Sequence, residues 1–155
     1  MNPSPTTAKA LPPNTAHLVR SIADQFAIAG EYILGEEIES GHINSTYLAT
    51  YELSGGELRR YILQRINEQV FKDPLAVMRN VECVTSHINW KVLRKKRDLG
   101  GQTLSLYPHK TGRFYHHGEG GGIWRCYNFF EGCRTYDVVK NLRQAYEAGH
   151  AFGAF

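Results

Sequence analysis

The stretch Ser40-Gly41-His42-Ile43-Asn44-Ser45-Thr46 holds the first residues whose types could do chemistry. Small and polar residues let a backbone approach an anionic ligand, and exposed amides in such a turn can bind phosphate. An ordinary hairpin turn has the same composition. Gln64-Arg65 is the second candidate. An arginine within an apolar run must reach solvent or pair with an anion, because a buried unpaired charge is costly. Glu82 is the third. It shares a helix face with Met78 and Thr85, so it either pairs with a strand arginine or lies at the margin of the apolar stripe. His116-His117 with Glu119 has metal-ligand types, but neighbours on a strand point to opposite faces, which argues against one shared ion. Cys83, Cys126 and Cys133 have no local partner that would lower a thiol pKa, and they read as core or filler. Arg134-Thr135-Tyr136-Asp137 is a polar run suited to capping a helix.

The elements that must position these residues follow from periodicity. Residues 1–13 carry four prolines and no period, and read as a disordered arm. Val19, Ile22, Ala23 and Phe26 form one helical stripe, with Asn14 or Thr15 as the cap and an end near Ala29-Gly30. Tyr32 to Glu39, Thr46 to Leu53 and Arg60 to Ile66 read as three strands of an antiparallel meander. In the third, Tyr61, Leu63 and Arg65 share one face, and Ile62, Gln64 and Ile66 the other. Asp73-Pro74 opens a long helix with the stripe Leu75, Met78, Val81, Val84 or Thr85, Ile88 and Val92. Its basic end, Lys91 and Arg94 to Arg97, suits the helix dipole, and Gly100-Gly101 stops it. Thr103 to Tyr107 and Arg113 to His116 read as a hairpin, Ile123 to Phe129 as an apolar strand, and Tyr136 to about Ala148 as a helix with Val138, Val139, Leu142, Ala145 and Tyr146 inside. The pattern is α+β, one antiparallel sheet covered by helices.

Composition bounds the function. The 155 residues, 42% of them apolar, suit one domain or one lobe with a real core. Eighteen Lys and Arg against fifteen Asp and Glu leave +3, too small an excess for a nucleic-acid binder. No apolar run reaches the roughly 18 residues of a membrane span, and the first 13 residues lack a secretory h-region. Three cysteines make neither a disulfide framework nor a zinc site, so a reducing, cytoplasmic setting is expected.

Four stretches, in this order, resemble the amino-terminal lobe of the aminoglycoside phosphotransferase superfamily, the kinase-like small-molecule phosphotransferases. They are Gly41 to Tyr47; Tyr61 to Asn67 continuing through Val70 to Pro74; Met78 to Val81 with Val84-Thr85; and Trp124 to Gly132 with Arg134 to Asp137. They span about Glu31 to Phe155, and the branch they are most similar to is that of the N-acetylhexosamine 1-kinases. The resemblance implies a protein-kinase-like lobe: a five-stranded antiparallel sheet over 14–132 with a long covering helix, an N-terminal helix, and a linker helix over 133–155. It implies ATP as cofactor, with Mg²⁺, and a sugar as substrate. Gly41, His42, Asn44 and Thr46 would lie over the phosphates. Gln64 or Arg65 would be the strand cation, with Arg65 favoured for its charge and Glu82 as its helix partner. Tyr127, Asn128, Phe129 and Phe130 would form the back of the adenine pocket and the hinge, with Ile38, Tyr47 and Ile62 as walls. Arg134 and Asp137 could reach the acceptor. The family's catalytic Asp and metal ligands belong to a second lobe. No His-x-Asp occurs in this chain, so it reads as a truncated kinase that binds ATP weakly or not at all and does not turn over.

Two other readings compete. One is a pseudokinase-like module that engages a partner through the apolar face a second lobe would cover. The other is an RNA- or lipid-binding domain using the basic run at 91–97, whose binding would fall steeply with salt.

Overall fold

The computed structural model of the chain describes residues 8–39, 43–95, 103–133, 136 and 138–154. Their elements are β1 (Ala8–Ala10), α1 (Pro13–Ala23), β2 (Glu31–Ile38), β3 (Ser45–Glu52), β4 (Leu58–Arg65), α2 (Pro74–Lys95), β5 (Leu106–Tyr107), β6 (His116–His117), β7 (Ile123–Asn128) and α3 (Leu142–Ala154). The class is α+β, as the periodicity predicts. The chain divides after Glu131 into two compact units, the first holding the sheet with α1 and α2, the second holding α3.

The sheet is antiparallel and runs β1-β2-β3-β4-β7-β5, with β6 also on β7. It therefore has seven strands where five are expected. The predicted meander is its centre. The additional strands are short. β1 falls in the segment read as disordered, where Ala8 pairs with Ile38 and Ala10 with Glu36. The expected hairpin of residues 103–116 does not form a strand pair. β5 and β6 instead lie one after the other on the same edge of β7, Leu106 opposite Tyr127 and His116 opposite Trp124. The β7 backbone offers a full row of donors and acceptors that satisfies both segments. The residues between them fold out as a turn closed by His109 N–H to Arg113 O at 2.6 Å.

Strand alternation gives the sheet two different faces. On one, Tyr47, Ala49, Tyr51, Tyr61, Leu63, Trp124 and Cys126 pack against Val19, Ile22, Ala23 and Phe26 of the N-terminal segment. This is the stripe that the helical spacing predicts. α1, however, starts at Pro13, because proline suits the first helical turn, and stops at Ala23. Beyond it, Phe26 joins an isolated bridge with His109, and Ala27 N–H donates to Pro108 O. On the other face, Ile38, Leu48 and Ile62 form a smaller cluster. Beside it Ile66 and Ile123 receive Met78 of α2.

Asp73 caps α2 as predicted, its Oδ1 accepting the Ala76 N–H at 2.8 Å. The helix covers less of the sheet than expected. Met78 and Thr85 are buried, so Thr85 and not Val84 continues the stripe, whereas Trp90 and Leu93 are exposed. The predicted helix stop at Gly100-Gly101 lies outside the described residues. The last helix begins at Leu142 rather than Tyr136. Asn141 Oδ1 accepts the Gln144 N–H and Gln144 Oε1 accepts the Lys140 N–H, a reciprocal cap that fixes the start. Val138, Val139, Leu142 and Tyr146, expected to face inward, are exposed.

The core is rich in tyrosine, and this sets an alkaline limit. Burial raises the hydroxyl pKa of Tyr51, Tyr32, Tyr47 and Tyr61. Tyr51 is buried and donates to Ala23 O at 3.1 Å. A raised pKa in the folded state means that the unfolded chain loses these protons first. Stability is thus whole below about pH 10 and falls as pH rises above it. Thermal melts from neutral to strongly alkaline pH are expected to show that decline, with a shallower slope in Tyr51→Phe. Parallel curves for the two proteins would contradict the assignment.

Candidate functional site

The β2–β3 connection and the ends of β4 and β7 meet at one end of the sheet. Gly41 and His42 of the predicted phosphate loop lie outside the described residues. Its second half is in place and is latched. Asn44 Oδ1 accepts the Asn67 N–H at 2.9 Å, and Asn67 Nδ2 donates to Ile43 O at 2.9 Å. These bonds tie Ile43 and Asn44 to the residues leaving β4. A cavity of about 370 Å³ opens beside the latch, lined by Ser45, Arg65 and Asn67 among others.

Below the latch, Thr46, Gln64 and Arg125 stand on neighbouring strands in register. They face the same side as Ile62 and Ile38. Gln64 Nε2 donates to Thr46 Oγ1 at 2.9 Å. Gln64 Oε1 accepts two bonds from Arg125, from Nε at 3.0 Å and Nη2 at 2.6 Å. Arginine can only donate, so the orientation of the Gln64 amide is fixed by its partner. Thr46 Oγ1 in turn donates to Asn44 O in a long bond of 3.4 Å. A hydrogen-bond chain therefore runs from the β7 guanidinium across the sheet to the loop.

The strand-cation assignment changes accordingly. Gln64 lies on the polar row with Thr46 and Arg125, whereas Arg65 alternates to the opposite face, where it lines the cavity beside the latch. There its exposed side chain drapes over Gly122, where a Cβ would collide with Nε. Neither residue meets Glu82. Glu82 is exposed and forms no ion pair among the described residues, since α2 docks through Met78 and Thr85. Tyr47 also leaves the predicted pocket wall. It packs in the α1-side core, stacked on Trp124 at 5.8 Å between centroids. Ile38 and Ile62 do share a cluster, with Leu48, Tyr127 and Phe129 against it.

The predicted hinge is partly engaged within the chain. Asn128 N–H donates to Ser105 O at 3.2 Å and Phe129 N–H to Arg60 O at 3.4 Å. The Asn128 side chain holds Ser105 N–H and Thr103 O. Arg60 reaches on to form two bonds with Glu131, and its guanidinium lies over the Phe129 ring at 4.6 Å. Of the three expected hinge residues, Phe130 is the one whose amide has no partner among the described residues. Arg134 and Asp137, the candidates for acceptor contact, lie outside the described residues.

Arg125 joins the polar row although the resemblance gives it no role. Its sequence signal is the one used for Arg65: a single arginine inside an apolar strand, Ile123-Trp124-Arg125-Cys126-Tyr127. Burial lowers its pKa, opposed by the nearby Tyr127 hydroxyl. His116, half-buried, stacks on His109 at 5.2 Å on the far edge of β7. Cys126 is a core residue, whereas Cys83 and Cys133 are exposed. No protein-family model matches the chain.

Proposed function

We propose that the chain is the nucleotide-binding lobe of an ATP-dependent small-molecule kinase that moves the γ-phosphoryl of ATP to a sugar hydroxyl. The supporting observation is the Thr46–Gln64–Arg125 polar row, joined by hydrogen bonds to the latched end of the β2–β3 connection and flanked on the same sheet face by the apolar cluster of Ile38, Leu48 and Ile62. Such a face suits a nucleotide, with the phosphates at the polar row and the base against the partly exposed Tyr127 and Phe129 that pack on that cluster. Phe130, whose amide has no partner among the described residues, follows in sequence where the hinge would take one edge of the base. Phosphoryl transfer needs Mg²⁺, which prefers carboxylate oxygen. The polar row offers a hydroxyl, an amide and a guanidinium, and among the described residues no group of three or more His, Cys, Asp or Glu can hold a metal. In this reading the metal ligands and the catalytic base are supplied from outside the lobe, and the lobe alone is expected to bind ATP weakly and not to turn it over.

Titrating the ¹⁵N-labelled chain with ATP tests this. The expected result is a saturable shift of the Ile43, Asn44, Thr46, Gln64 and Phe130 amides, with those of α3 unmoved. No shift at millimolar ATP, or uniform shifts across both units, would overturn the proposal.

A further inference from the structure

We infer that Arg125 is the residue that takes the anionic group of the ligand on this face, and that Gln64 is its positioning residue. A guanidinium has five N–H donors in a planar fork. Two of Arg125's go to Gln64 Oε1. The other three have no acceptor among the described residues. Nη1 has no partner among the described residues, and no buried side-chain nitrogen or oxygen is left without one there, so the two Nη1 donors reach solvent. The charge is meanwhile partly desolvated, and among the described residues no carboxylate pairs with it. Its nearest aromatic contact is the Tyr127 ring at 5.8 Å, at the edge of useful cation–π range.

A neutral amide acceptor does not balance a partly buried positive charge. It does fix its direction. Gln64 is held by Thr46, Thr46 by the loop backbone, and the loop by Asn67. A pre-aimed cation with no carboxylate partner among the described residues recognises a multiply charged oxyanion such as a polyphosphate. Arg65, by contrast, is exposed and on the other face, so its charge is already solvated.

The choice of a nucleotide polyphosphate as the ligand rests on the proposed function; the anion site itself does not. The test is to titrate the full chain with ATP, adenosine and inorganic tripolyphosphate while following amide shifts and the Arg125 Nε–H resonance. ATP should bind at least about tenfold tighter than adenosine, and Arg125→Met should remove that advantage while leaving adenosine within about twofold. Arg125→Lys should recover part of it, and Arg65→Met should leave ATP within about twofold. Unchanged ATP binding in an Arg125→Met protein with native spectral dispersion would overturn the inference while leaving the nucleotide reading standing. Should Arg125→Met fail to fold, the same comparison is made with Arg125→Lys, where unchanged ATP binding and an unmoved side-chain resonance would overturn it. If neither ATP nor adenosine binds, the nucleotide reading fails and tripolyphosphate decides. A shift of the Nε–H resonance that is lost in Arg125→Met keeps the anion site, and no shift removes it.

Discussion

Replacing Leu63 with alanine is expected to remove about 3–5 kcal/mol of stability, the cost of an unrefilled leucine-sized cavity. Leu63 is 0% exposed, lies opposite Tyr47 and Cys126 in the middle of the sheet, and belongs to the cluster that receives α1. Its neighbours are aromatic rings already in edge or stacked contact, such as Tyr61 with Tyr51 at 5.4 Å and Tyr47 with Trp124 at 5.8 Å. Rings held in that way cannot move inward without breaking other contacts, so the hole stays open. A domain of this size has roughly 5–15 kcal/mol in total, so the variant should sit near its unfolding threshold. Urea denaturation checks it: the midpoint should fall with the slope unchanged. Leu58→Ala is the internal comparison. Leu58 begins the same strand but is 64% exposed, and its loss should change stability by about 0.5 kcal/mol or less. Equal effects at the two positions would mean that the core is not where the strand alternation puts it.

That alternation carried most of what was legible in advance. The meander is local, each strand following the last through a short turn, so period-2 patterning and turn residues suffice to find it. The start of α2 is equally local, since Asp73-Pro74 acts within one turn. What escaped the sequence depended on pairing with distant backbone. Ala8–Ala10 is too short and too plain to alternate, and becomes a strand only because β2 presents an open edge. The segments around Leu106 and His116 were compatible with each other, but β7 competes for both and wins. α1 ends early because Phe26 and Ala27 take partners at His109 and Pro108 that no helical stripe announces.

The site divides in the same way. Gln64 could have been chosen over Arg65 from the sequence alone, since Ile62 and Gln64 share a face and Arg65 falls with Tyr61 and Leu63. Tyr47 likewise belonged with Ala49 and Tyr51 by simple alternation. Arg125 is a different case. That it stands in register beside Gln64 follows from β4 pairing with β7 across sixty-one positions of chain, through a helix and an irregular segment, and no local pattern encodes that pairing.

Gln64→Leu is the second large effect, and its partner variant shows what Arg125 is for. Leucine removes both bonds to the guanidinium and leaves a partly buried charge with no acceptor in the chain. The expected loss is about 2 kcal/mol. Arg125→Met alone should be close to neutral, because Gln64 is only partly buried and methionine fills similar volume. In the double variant the charge and its acceptor are both gone, so most of the Gln64→Leu loss should return, giving a coupling of more than about 1 kcal/mol. If the double variant is instead as unstable as the two single losses added, Gln64 and Arg125 are independent surface groups and the relay to the loop has no energetic content. The asymmetry matters more than the sum. A residue retained for stability costs stability when it is removed. An arginine whose removal costs nothing, yet whose partner cannot be removed without penalty, is a charge the fold tolerates rather than uses. Sites that tolerate such a charge are the ones where a ligand supplies the missing half of the pair.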